Sequence, residues 1–212
     1  MARGKLSDMN KSSTQSSPAR GPADHEVRDQ IIAAATEHFR LYGYGKTTVS
    51  DLAKAIGFSK AYIYKFFESK QAIGELICAN CLHEIETDIR AAIDGVSPPE
   101  QLRRMFKVAV ESSLRLFFED RKLYDIAASA ATEHWDTVRL YEERIQVMLQ
   151  DILRQGRETG DFERKTPLDE AAGAICLVMR PYLNPLLLQY NFDSTENGPA
   201  QLSSLVLRSL SP

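Results

Sequence analysis

Between Tyr42 and Lys70 stand five lysines, at positions 46, 54, 60, 65 and 70, against only two acidic residues, Asp51 and Glu68. Interleaved with them are Tyr62, Tyr64 and the hydroxyl residues Thr48, Ser59 and Ser69, each hydroxyl placed just before an apolar helical run. Ammonium groups, phenols and hydroxyls at helix starts are the groups that hold phosphate oxygens. The chemistry implied is therefore non-covalent recognition of a polyanion. Charge distribution points the same way. Residues 1–70 carry 11 Lys/Arg against 7 Asp/Glu, whereas residues 71–212 carry 15 against 22, within a chain of net charge −3. A basic front and an acidic rear direct a polyanion to the front.

Other reactive side chains offer less. Cys78-Ala79-Asn80-Cys81 is a C-x-x-C followed by Leu82-His83. A redox dithiol expects a βαβ setting, a zinc site needs four ligands, and Cys176 with His83 makes no second pair. The two sulfurs stand one turn apart on a continuous helix, where they pack as small hydrophobes or sense oxidants as thiols. No Ser-His-Asp spacing, phosphate-cradling glycine loop or paired carboxylate arrangement is present, so no catalytic residue, metal or cofactor is expected. Three cysteines do not make a secreted disulfide framework, and Met1–Pro22 has no apolar core of a signal peptide. The most apolar stretch, Ala171–Leu188, is broken by Arg180, Pro181 and Pro185, which suits a buried helix rather than a membrane span. A cytoplasmic protein without membrane association is expected.

The elements that must position these groups are helices. Residues 1–24 are rich in Ser, Pro and Gly and are expected to form a disordered tail. Val27, Ile31, Ala34, Ala35, His38, Phe39 and Tyr42 recur at helical spacing until Gly43. Val49 to Ile56, ended by Gly57, forms a two-turn helix. Ser59 caps a third helix over Lys60–Phe67, and Ser69 caps a long one from Lys70 towards Ile93. Further helices are expected after Ser97-Pro98-Pro99, over Lys122–Ala131, from Trp135 to Gly156 or Gly160, from Thr166-Pro167 with bends at Pro181 and Pro185, and over Pro199–Leu210. With no alternating strand and no repeat, the fold class is all-α. The expected domains are residues 25–70, a three-helix unit bearing the basic residues, and residues 71–212, a helical bundle.

The two short helices about Gly57 have helix-turn-helix layout, with Val49, Leu52, Ala53, Ile56, Ile63 and Phe67 as a small shared core. The run Gly43-Tyr44-Gly45-Lys46-Thr47-Thr48-Val49-Ser50-Asp51-Leu52-Ala53, continued by Gly57-Phe58-Ser59 and by Tyr64-Lys65-Phe66-Phe67-Glu68-Ser69-Lys70, closely resembles the TetR family signature. The resemblance covers about residues 26–75. It implies a sequence-specific DNA-binding transcriptional regulator, a dimeric repressor released from a near-palindromic double-stranded operator by a small hydrophobic effector of unknown identity. It further implies that Thr48 and Ser59 meet phosphates, that Tyr64 bonds one, that Lys70 opens the fourth helix against DNA, and that Lys46, Lys60, Ala61, Tyr62 and Lys65 approach bases or flanking phosphates. Positions 61 and 62 depart from the family's common Gly-Thr. That departure blocks transfer of any known operator.

For the C-terminal half, Phe106, Phe117, Tyr124, Trp135 and Met148 are candidates for the effector pocket, with ordinary core packing as the alternative. The helices over Pro167–Tyr190 and Pro199–Leu210 are expected to form the homodimer surface, with Ile175, Leu177, Val178, Leu186, Leu187 and Leu188 supplying apolar contact. Two rival classes stay open: an architectural DNA-binding protein without effector, and an enzyme or thiol protein acting through Cys78 and Cys81.

Overall fold

The computed structural model describes the chain from Gly21 to Pro212, and the expected tail over residues 1–20 lies outside the described residues. Helix α1 spans Gly21–Tyr42, so residues 21–24 are helical rather than part of a tail. It is followed by α2 (Val49–Ile56), α3 (Lys60–Ile63) and α4 (Lys70–Ile93). The C-terminal half consists of α5 (Pro98–Glu119), α6 (Arg121–Thr132), α7 (Asp136–Thr159), α8 (Leu168–Leu183), α9 (Pro185–Leu188) and α10 (Gly198–Ser209), with a 3-10 turn at Phe192–Ser194. No strand occurs among the described residues.

Local chemistry accounts for most boundaries. The Thr48 side chain accepts from the Asp51 amide while Asp51 accepts from the Thr48 amide, a reciprocal cap that starts α2. Gly57 ends it in the left-handed conformation (φ +79°), where a Cβ would be strained. Ser59 and Ser69 cap α3 and α4 through the amides of Tyr62 and Ala72. Two differences from expectation are local as well. Helix α3 is a single turn, loosening into turns after Ile63 rather than reaching Phe67. Pro167 sits in the cap position of α8 rather than at its first helical residue. Pro181 lies inside α8, and Pro185 opens α9.

The head, α1–α3, closes over Ile31, Ala35, Phe39, Leu52, Ile63 and Phe67, all buried. Helix α4 runs from the head into the bundle, where it packs on α5, α6 and α7. Helices α8 and α10 pack on α7 and α5 and on one another. A buried acid pins α4 to α7. Glu86 accepts from Arg144 at 2.7 Å across 58 residues, and from Arg90 at 2.9 Å one turn away. Burial alone would raise the Glu86 carboxyl, but the hydrogen bonds from the two guanidiniums outweigh it and hold the group below the usual carboxylate range.

Its contribution is thus present above the unfolded carboxylate pKa and is lost as pH falls through the lowered folded value. Both arginines are partly solvated, which moderates the effect. Glu86→Gln is expected to cost about 2 kcal/mol at neutral pH, less than the loss of a fully buried pair. Urea titrations at pH 7 and pH 4 check this: the difference between wild type and variant should shrink at the acid value.

Candidate nucleic-acid interface

Most of the expected recognition residues are accessible on the head. Lys46, Thr48, Ser59, Lys60, Ala61, Tyr64 and Lys65 are all exposed, as is Lys54. They can lie together because Ile63 and Phe67, the inward residues of the α3 region, are anchored in the head core at 0% and 3% exposure. Tyr64 is 44% exposed, so its phenol points outward, and the Lys60 ammonium sits 5.7 Å from its ring centroid.

Thr48, Tyr62 and Lys70 are engaged by contacts within the head. Of the paired threonines, Thr47 is buried, donates to the Gly43 carbonyl at 2.8 Å and contacts His38 Nδ1 at 3.2 Å, pinning the α1–α2 turn. Thr48 is exposed, but its hydroxyl donates to Asp51 at 2.6 Å, so its proton is already engaged. Tyr62 is half-buried in an edge-to-face stack between Phe58 and Phe66, with centroids 5.0 and 5.4 Å away. That stack occupies the ring expected to approach bases. Lys70 is likewise half-buried: its ammonium donates to the Tyr44 carbonyl at 3.0 Å and lies 4.2 Å from the Tyr44 ring centroid.

The signature over residues 31–75 matches the family described as bacterial regulatory proteins, tetR family, and residues 98–201 match the tetracyclin repressor-like C-terminal domain. The chain belongs to the TetR family. Among curated relatives of this TetR-family transcriptional regulator, HTH-type transcriptional regulator HbdR of Aromatoleum sp. (strain CIB) is 38% identical over 74 residues. That match covers 35% of this chain and 32% of the relative, about a third of the relative's length. The solved structure of the TetR family transcriptional regulator PfmR from Thermus thermophilus superposes with TM-score 0.56 at 27% identity, covering 84% of this chain and 97% of that one. Thermus thermophilus FadR, a TetR family repressor solved with lauroyl-CoA, superposes with TM-score 0.62 at 23% identity, over 85% and 93% of the two chains. The relatives are transcriptional regulators, not enzymes.

In the TetR-type C-terminal half the five aromatic and sulfur candidates for an effector pocket do not converge. Phe106 borders a void of about 10 Å³, together with Met105, Ile145 and Ile175. Tyr124, whose hydroxyl donates to the Pro185 carbonyl, borders a second void of about 10 Å³. Phe117 stacks on Tyr124 and Phe192. Met148 is buried in the core, and Trp135 lies at the junction with the head, 5.7 Å from Tyr44 between ring centroids. Space opens elsewhere: besides a cleft of about 440 Å³ between α5 and α10, edged by Arg103, Arg104 and Lys107, one of about 370 Å³ lies between α7 and α8. Tyr141, Ile145, Cys176, Leu177 and Leu183 give it apolar walls, with Glu142, Gln146 and Arg180 among its polar lining. Sequence periodicity marks Tyr141 and Ile145 as inward but cannot say which inward residues border empty space.

On α8 and α9 the expected dimer residues divide. Ile175 is 5% exposed and Leu188 fully buried, so both serve the chain's own core. Leu186 is half-buried. Leu177 (67%), Val178 (37%) and Leu187 (36%) face outward, as does Leu205 (54%) on α10, a residue that helical periodicity does not single out. The thiols of α4 are buried. Burial pushes Cys78 up to about 12 and Cys81 up to about 11, which keeps both protonated near neutral pH. Among the described residues no helix is long and apolar enough to cross a membrane.

Proposed function

We propose that this chain is a dimeric repressor that occupies a near-palindromic operator and leaves it when an apolar effector enters the C-terminal bundle. The observation that carries the DNA half is the exposed set of Lys46, Ser59, Lys60, Tyr64 and Lys65 around a recognition turn whose other face is anchored by Ile63 and Phe67. The dimer half rests on the outward apolar residues Leu177, Val178 and Leu205 on two adjacent helices, a surface that a second copy would cover about a two-fold axis. Two heads so related would meet half-sites about one helical turn, or a multiple of one, apart.

The cleft between α7 and α8 is the proposed effector entrance. Leu183 lines both the cleft and the two small voids behind it, and Ile145 and Cys176 are shared with the void beside Phe106. An elongated apolar group that displaced Leu183 would join these spaces and reach Phe106 and Tyr124. Binding of lauroyl-CoA by FadR of Thermus thermophilus is an example of such a ligand on this fold. For release to follow, the effector must bind the released conformation more tightly than the operator-bound one.

Selection of duplexes from a random pool at near-physiological salt tests the reading. Enrichment of a near-palindrome supports it. Duplex binding without enrichment, steeply dependent on salt, would instead indicate an architectural protein.

A further inference from the structure

Head and bundle meet at two bearings besides the continuous helix α4. One is the packing of α1 on α6, edged by polar contacts: Arg40 of α1 pairs with the half-buried Asp120, and Lys122 donates to the Leu41 carbonyl. The other is aromatic and enclosed. Trp135, 3% exposed, immediately precedes α7, and its indole packs edge-on against Tyr44, the residue in the turn between α1 and α2. Tyr44 in turn packs on Phe39 of the head core, with centroids 5.3 Å apart.

Each partner is held from behind. The Trp135 indole N–H donates to Glu133 at 3.0 Å, and its backbone N–H donates to the Ala130 carbonyl at 2.9 Å. His134, between them, takes the left-handed conformation (φ +57°) that this sharp α6–α7 turn requires. Lys70 at the start of α4 grips the Tyr44 carbonyl and lies over its ring. Gly74 completes the joint. A Cβ there would lie 2.8 Å from the Tyr44 ring and 3.1 Å from the indole, so α4 approaches both rings as closely as a glycine permits. Burial also pushes the Tyr44 phenol up to about 12, with Glu133 and Glu75 adding to the shift, so the ring stays neutral within the joint.

We infer that Trp135 is a positioning residue for DNA recognition: through Tyr44 it fixes the angle of the head on the bundle, and hence the separation of half-sites that the dimer accepts. Close-packed rings backed by a glycine do not deform continuously, so they hold one arrangement or change to another. The Arg40–Asp120 pair is the weaker constraint, because a partly solvated ion pair contributes little and tolerates rearrangement. Helix α7, which follows Trp135 directly, also carries Tyr141 and Ile145 of the cleft. A shift of α7 on effector entry would therefore reach the head at Tyr44. This inference rests on the dimeric repressor reading above.

The test uses the full chain and the duplex it selects, rebuilt with the half-site separation changed by one, two and three base pairs. Wild type is expected to prefer its own spacing by 10-fold or more. Trp135→Leu and Tyr44→Leu are expected to bind the best duplex within about 10-fold of wild type, yet to discriminate among spacings by less than 3-fold. A mutation that merely lowers stability would weaken all spacings equally, so variants that keep the wild-type preference overturn the inference.

Trp135 is the sole tryptophan of the chain, which provides a measurement that needs no variant. Saturation with the operator duplex is expected to change the indole emission, and an unchanged spectrum would count equally against the joint. A wild-type chain with no spacing preference removes the dimeric reading and this inference together. A wild-type preference retained in both variants removes this inference alone.

Discussion

Tyr64→Phe is expected to weaken binding to the selected operator by about 100-fold while leaving the fold intact. The substitution removes one hydroxyl from an exposed ring and leaves the inward anchors Ile63 and Phe67 untouched. A hydrogen bond to a charged phosphate contributes about 1.5–3 kcal/mol, and a two-fold dimer makes it twice. Since 1.4 kcal/mol is about tenfold in affinity, loss of both bonds amounts to about 100-fold or more. Salt dependence separates this effect from simple charge. Tyr64→Phe should leave the slope of log affinity against log salt unchanged. Lys46→Ala or Lys60→Ala should reduce its magnitude by about 1 for each phosphate no longer neutralised, and should weaken binding to all sequences alike. Fluorescence anisotropy of a labelled duplex between about 50 and 300 mM salt, where counterion release dominates the affinity, checks both statements. A Tyr64→Phe affinity within threefold of wild type would move the phosphate contact elsewhere on the head.

The double variant Val178→Glu/Leu205→Glu is expected to sediment as a folded monomer and to lose near-palindrome binding. Both side chains face outward on adjacent helices, so carboxylates there are solvated in the monomer and cost its fold little. Between two copies they would be buried without partners, each at about 3 kcal/mol or more, and the two-fold axis doubles the number. Ile175→Ala is the informative contrast. That residue is 5% exposed within the chain's own core, so truncation should lower stability by about 2–5 kcal/mol without changing the association state. Sedimentation velocity with a parallel thermal melt distinguishes the two outcomes. A double variant that remains a dimer would place the interface away from α8 and α10.

The recognition helix illustrates how far short-range information goes. Ser59 and the Gly57 turn are legible as a cap and a stop, and the structure realises both. The same reading places Tyr62 among base-contacting residues, yet its ring is held between Phe58 and Phe66. Those aromatics sit four residues to either side, and their spacing is available in the sequence. Whether such neighbours stack or diverge depends on how the turns after Ile63 lie against α1, where Arg28 donates to the Phe66 carbonyl. Lys70 makes the same point. Its type and position suit a phosphate, but Tyr44, 26 residues earlier, takes its ammonium.

By itself the sequence determined the all-α class, most helix boundaries, and the head with its basic, hydroxyl-bearing surface. These depend on hydrogen bonds and caps within a few residues, so neighbouring side chains suffice to specify them. In the C-terminal bundle the tertiary structure decided which of the candidate interface residues are core and which are surface. On α8, Ile175 and Leu177 are alike in type and two residues apart, yet one is buried by α5 and α7 and the other faces out. It also decided that Trp135 joins head to bundle rather than lining a pocket, that Arg144 finds Glu86, and that an apolar-walled cleft opens between α7 and α8. The physical reason is the same in each case. Helix formation is local, whereas helix packing fixes contacts between residues tens of positions apart, through ridges and grooves that many sequences could fill.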